Sequence, residues 1–514
     1  MSRVKFNLES PEKTAKDSSF VATGPLNFIW GITTSAFQTE GAPKVGGRTN
    51  TDWDVFEKIP GKIADGNTAN IASDSFKQYA NDVRLVKEMG LNSYRFSLSW
   101  TRIVSDNTGK INQAGIDHYN ALINNLKENG IEPFVDLSHW DTPQWIESYG
   151  GLLDQTGTFI KDFVYFANIC FQNFGDRVKY WTTFNEPSTP AVNGYEFNVF
   201  APSVGNSKGI SPYGYEYRVI HNSLLAHAYA VKSYRENFLK IQNGTIGIVI
   251  NVDWAVPFTQ TKRDIDAAER YMIFQGALLW DPLFFGKYPK IVTDTAGTRL
   301  PKFTPEESAL LIGSFDIMYL GHCTAFYVRN YEPTDEEVGW VYDSHTTISY
   351  TDPEGKLIGK PTQSVWNHIV PETTYGVLEF YYNRYKIQGH PGISIKVADK
   401  IRSVPIMFVE NGVALSGENQ SSTYEECKND VDRIEFFEGG LRYIQKAIKD
   451  FSLNYVGYSV WTLSDNFEWN QGYKERFGLH YTDFNFPGEF RPAYPKDSVV
   501  WLRKYIQDHP DGLN

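Results

Sequence analysis

Eight apolar, aromatic-rich runs alternate with longer segments of helical spacing along the 514-residue chain, and this alternation predicts an α/β fold, a (β/α)8 TIM barrel in a single domain. Two further observations favour a closed sheet over an open, doubly wound one. No Gly-x-Gly-x-x-Gly follows the first run, and several runs end in polar side chains of the kind a barrel gathers at the C-terminal mouth of its strands. No low-complexity linker or residue-level repeat divides the chain, so the barrel is expected over residues 26–510, preceded by an N-terminal extension over 1–25.

The first strand is expected at 28–36 (FIWGITTSA), where aromatic and β-branched residues dominate, with Gln38 and Glu40 just beyond it. Segment 73–90 then repeats Phe76, Tyr79, Val83, Val86 and Met89 at spacings of three and four. Ser73 or Asp74 stands where a helix is capped and Gly90 where one stops. The second strand, 93–100 (SYRFSLSW), carries Arg95, and a helical pattern follows over 115–130. The third, 132–140, ends in His139 and Trp140, and the fourth, 180–187 (YWTTFNEP), ends in Asn185, Glu186 and Pro187. A carboxylate closing an apolar strand needs a reason, because burying it without a partner is costly. The fifth and sixth runs are 245–254 and 317–328, and the seventh, 405–412, ends in Glu410 and Asn411. A helical pattern over 435–451 leads to the eighth run, 455–463, which contains Trp461 and is followed by Glu468 and Trp469.

Composition narrows the function classes. Apolar residues make up 41% and charged residues 21%, the balance of a globular enzyme rather than a disordered or fibrous chain. Asp and Glu total 61 against 49 Lys and Arg, and the net charge of −12 argues against nucleic acid as a partner and suits a neutral small molecule. Cys170, Cys323 and Cys427 are too scattered for a metal or redox motif. The histidines form no H-E-x-x-H spacing, and His221 and His227, six apart, fall on different helix faces, so neither metal nor other cofactor is expected. No run of 18 apolar residues occurs and the first twenty residues hold no apolar stretch of a leader, so the expected location is cytoplasmic, with no membrane partner.

The barrel mouth would unite Glu186 and Glu410. Paired carboxylates suit glycosidic-bond cleavage, one protonating the leaving oxygen and the other acting at the anomeric carbon. Glu186, in a partly apolar pocket beside a second acid, should have its pKa raised, and Arg95 is the candidate to keep Glu410 ionised. Gln38, His139, Asn185 and Glu468 could bind sugar hydroxyls, while Trp140, Trp461 or Trp469 offers a stacking face. Trp145, Tyr195, Phe197 and Phe200 are expected at the rim.

With these residues in place the chain resembles glycoside hydrolase family 1, the retaining β-glucosidase family, in its fungal or plant intracellular branch. SAFQTEGA, HWDTPQWI, TTFNEP and SDNFEWNQGYKERFGLHYTDF carry the likeness, which extends over nearly the whole sequence. It implies that Glu186 is the acid/base, Glu410 the nucleophile, and Asn185 the ligand of the 2-hydroxyl. Gln38, His139, Glu468 and Trp469 would hold the other glycone hydroxyls over Trp461. The substrate would be an unmodified β-glucoside, since phospho-sugar members carry a Ser and a Lys in the last block. Three positions depart from the pattern: Gly321 and Cys323 replace the usual Asn-x-Tyr, and Val409 replaces a common Thr. The missing tyrosine would cost a hydrogen bond to the nucleophile, roughly 1.5 to 3 kcal/mol or one to two orders of magnitude in rate. Strand alternation should turn His322 away from the gap unless a bulge intervenes. Transglycosylation through the same intermediate, or sugar binding with weakened catalysis, are the alternatives these departures raise.

Overall fold

Eight buried runs become the strands of one barrel: β1 (Ile29–Thr33), β2 (Ser93–Ser97), β3 (Glu132–Asp136), β4 (Tyr180–Asn185), β5 (Thr245–Asn251), β6 (Met318–Gly321), β7 (Ile406–Glu410) and β8 (Tyr455–Trp461). In the computed structural model, which describes residues 27–205 and 212–513, each strand pairs in parallel with its neighbours in sequence and β8 closes on β1. The extension expected over 1–25 lies outside the described residues. The helices sit where their periodicity requires: Ser75–Glu88, Gln113–Glu128 and Val431–Phe451 follow β1, β2 and β7. Val83 and Val86 of the first are completely buried, as a stripe recurring every three or four residues predicts.

Inside the barrel, Ile29, Phe134, Val249, Tyr319, Met407 and Val409 form an apolar layer beneath the mouth. The Arg95 guanidinium lies over it, 5.7 Å from the Phe134 ring centre. Val409 is thus a packing residue at a position where threonine would bring a hydroxyl into an apolar layer.

Two runs are shorter than their composition suggests. The fifth stops at Asn251 and a separate strand, Trp254–Pro257, follows; the sixth stops at Gly321, and Ala325–Asn330 is a second strand. These outer strands join Thr346–Ser349 in a three-stranded sheet outside the barrel. The breaks fall at Val252–Asp253 and His322–Thr324, short interruptions with apolar residues on both sides, so the character of the run as a whole does not mark that corner.

Candidate active site

Strand alternation alone would not aim both carboxylates into the mouth. On β7, Met407 and Val409 face the interior while Phe408 belongs to the outer core, so Glu410 should point outward. A register shift between Phe408 and Glu410 against β6 turns it back, and a comparable shift between Thr182 and Asn185 precedes Glu186 on β4. Glu186 (φ 44°), Trp140 (φ 72°) and Trp469 (φ 47°) adopt left-handed backbone conformations. Such conformations cost on the order of 1 to 3 kcal/mol in non-glycine residues and persist where surrounding structure imposes them.

Glu186 and Glu410 open onto one cavity of about 460 Å3, lined also by His139, Trp140, Trp461, Glu468 and Trp469. The other expected residues stand directly behind this wall. Arg95 donates from Nη1 to Glu410 Oε1 at 2.5 Å and from Nη2 to Asp136 and to Asn185 Oδ1, both at 2.9 Å. With its Oδ1 thus occupied, Asn185 donates through Nδ2 to His139 Nε2 (3.1 Å), and His139 Nδ1–H donates to Asp136 Oδ2 (3.2 Å). These bonds fix a neutral imidazole with its proton on Nδ1. Asp136, the completely buried last residue of β3, is one site residue sequence reasoning missed, and its signal was an acid within an otherwise apolar strand run.

Burial, and then the negative charges of Glu410 and Asp253, push Glu186 well above the usual carboxylate range, which favours its protonated form. Thr189 donates to its Oε2 at 3.3 Å. Glu468 is pushed up in the same direction by burial and by Glu475, and Gln38 donates to it at 3.2 Å. His139 stacks at 5.9 Å from Trp461 and 6.1 Å from Trp469, and Trp140 donates to the Asn185 carbonyl at 2.9 Å. The result is a pocket with carboxyl and amide groups at one end and indole faces around it.

Other expected members are elsewhere. Glu40 accepts from Arg102 (2.6 Å) and Tyr119 (2.7 Å), which hold it away from the cavity. Asn411 is tied behind β7 by the His322 carbonyl and the Tyr458 hydroxyl. Of the four rim aromatics only Phe200 lines the cavity; Trp145, Tyr195 and Phe197 pack into or against the core, Trp145 edge-on to Trp100. The wall also recruits Asn251, Asp253, Gln275, Phe326, Trp340, Trp366 and Glu475, none of which sequence reasoning singled out for the site.

The sixth-strand departure has a geometric consequence. A Cβ at Gly321 would lie 2.3 Å from Glu186 Oε1, so the Glu186 carboxyl occupies the space a side chain at 321 would fill. His322 points away as alternation requires: its Nδ1 donates to the Val252 carbonyl at 2.8 Å, and its Nε2 lies 3.0 Å from the Thr373 hydroxyl. Cys323 reaches the cavity in place of a tyrosine, its thiol kept protonated by burial and by the nearby carboxyls.

Known proteins resemble this chain over almost its full length. The family model described as Glycosyl hydrolase family 1 matches residues 21–510. Beta-glucosidase 34 of Oryza sativa subsp. japonica is 38% identical over 94% of this chain and 92% of its own. Coniferin beta-glucosidase of Pinus contorta is also 38% identical, covering 95% and 93%. The crystal structure of a family 1 beta-glucosidase from the fungus Humicola insolens, in complex with glucose, superposes with a TM-score of 0.86 at 38% identity, covering 94% of this chain and 98% of that one.

Proposed function

The chain belongs to glycosyl hydrolase family 1, and from that membership we propose that it hydrolyses β-D-glucosides with Glu186 as acid/base and Glu410 as nucleophile. The enzyme is a retaining glycosidase of the β-glucosidase family. The observation that carries the residue assignment is the unequal treatment of two carboxyls on one cavity: Arg95 pairs with Glu410, while burial and neighbouring acids keep the proton on Glu186.

In the first step the Glu410 carboxylate attacks the anomeric carbon and forms a glycosyl ester as the bond to the aglycone oxygen breaks. The proton of Glu186 passes to that oxygen. In the second, water attacks the same carbon, Glu186 takes its proton, and the ester bond breaks to free Glu410. Arg95, anchored by Asp136 and Asn185, holds the nucleophile in place during attack. Asn185 and His139 face the 2-hydroxyl side, Gln38, Glu468 and Trp469 the remaining hydroxyls, and Trp461 and Trp140 the apolar sugar faces.

Release of nitrophenol from p-nitrophenyl β-glucoside, beside a Glu410→Gln control, tests this reading. Turnover should vanish in the control, and a 2-deoxy-2-fluoro β-glucoside should leave its sugar esterified to Glu410 by peptide mass. Retained activity in Glu410→Gln, or a label on another residue, would refute the assignment. Products formed on added methanol would reveal transfer to an alcohol through the same intermediate.

A further inference from the structure

The two-step reaction and the sugar contacts leave the Asp253 carboxyl on the cavity wall without a task. Asp253 follows the end of β5, is half-buried, lines the cavity, and is pushed up to about 7 by burial alone. The groups near enough to feel its charge are Glu186, Cys323, Tyr271 and Tyr350, and none is a cation. Among the described residues lining the cavity there is no lysine or arginine, against five carboxyls: Glu186, Asp253, Glu410, Glu468 and Glu475.

Asp253 also lies on the side where a leaving group must go. Glu186 protonates the oxygen that joins sugar to aglycone, and Asp253 is near enough for its charge to reach Glu186, so an aglycone leaving past Glu186 meets Asp253; Asn251, Gln275, Phe326 and Trp340 line the same cavity. Gln275 is presented by a π-helical turn, Ile273–Ala277, inserted between two α-helices, an irregularity that accompanies functional sites. Phe326 sits on the strand paired with Trp254–Pro257, directly opposite Ala255. A half-buried carboxyl without a cationic neighbour, an amide and two aromatic rings thus share one wall.

We propose that this wall is an aglycone subsite for a protonated amine, with Asp253 as its ion-pair partner, the Gln275 carbonyl as a second acceptor, and Phe326 and Trp340 as ring faces. The proposal rests on the glycosidase reading of the cavity and goes beyond it by naming a substrate class, β-glucosides of amine-bearing aglycones. A hydroxyl could satisfy one oxygen of a neutral carboxyl. An ammonium group both favours ionisation of Asp253 and gains from the ring quadrupoles. An anionic aglycone meets only like charge.

The test uses phenyl β-glucosides carrying para aminomethyl, hydroxymethyl or carboxymethyl groups, assayed by released glucose at pH 8. The ammonium substrate should exceed the hydroxymethyl one in kcat/KM by about tenfold, a gain within reach of a partly desolvated ion pair with cation–π contact, and the carboxylate should fall below both. Asp253→Asn should bring the ammonium-to-hydroxymethyl ratio close to one. An unchanged ratio in that variant, or no ammonium preference in the native enzyme, would overturn the proposal. Calorimetric binding of the matching 1-thio-β-glucosides to the native enzyme reads the same preference without turnover or substitution. Equal affinities overturn the subsite, whereas tighter ammonium binding with no hydrolysis of any glucoside sustains the subsite and refutes the glycosidase reading instead.

Discussion

Gly321→Ala separates the proton-transfer role of Glu186 from everything else in the cavity. The added methyl would lie 2.3 Å from Glu186 Oε1 and 3.4 Å from Asn251 Oδ1, so the carboxyl must retreat by roughly 1 Å to reach ordinary contact. The backbone at 321 is on the φ side open to any L-residue, and the clash falls on the end of a flexible side chain, so folding should be unaffected. Displacing a reacting group by about 1 Å can cost a factor of about 100, or about 2.7 kcal/mol. That loss should appear only where the leaving group needs the proton. For an alkyl β-glucoside kcat/KM should fall about 100-fold, whereas 2,4-dinitrophenyl β-glucoside, whose phenolate leaves unaided, should change by less than about threefold. Steady-state kinetics on both substrates, with the thermal midpoint as a folding control, decides the matter. Equal losses on both, or none on the alkyl glucoside, would show that Gly321 does not govern the position of the acid.

Three further outcomes are expected. Cys323→Tyr, by returning a phenol to the neighbourhood of Glu410, should raise kcat by about ten to one hundredfold, the worth of one hydrogen bond to a charged group; no gain would show that the ring cannot reach the nucleophile. Asp136→Asn removes the acid shared by Arg95 and His139 and should destabilise the fold by about 3 to 5 kcal/mol, as breaking a buried ion pair does, with kcat falling as well; an unshifted urea midpoint would refute this. Burial lowers His322 from 6.5 to about 4, so below the unfolded value only the unfolded chain takes up the proton. This contribution is present above pH 6.5 and is lost, at about 1.4 kcal/mol per pH unit, as pH falls toward 4. His322→Gln should therefore show a shallower loss of stability in that window, and parallel curves would contradict it.

Local pattern determined much of this protein. Alternating strands and helices, a carboxyl at the end of the fourth and seventh runs, and an arginine inside the second are legible because each is a property of a few adjacent residues. They sufficed to locate Glu186, Glu410, Arg95 and the residues around them in one barrel mouth. Tertiary structure decided what each polar strand end actually meets. Glu40 and Glu186 both follow apolar runs, yet one is claimed by Arg102 and Tyr119 and the other opens onto the cavity. The bulges that aim Glu186 and Glu410 depend on a single displaced residue in pairing with a neighbouring strand, which composition does not encode. The contact between Gly321 and Glu186, the ring of bonds through Asp136, and the carboxyl of Asp253 at the corner between barrel and outer sheet join residues far apart along the chain. Periodicity reports which face a side chain leaves a strand from, but only the closed barrel brings strand ends within a few ångströms, and at that range charge and contact, not pattern, select the site.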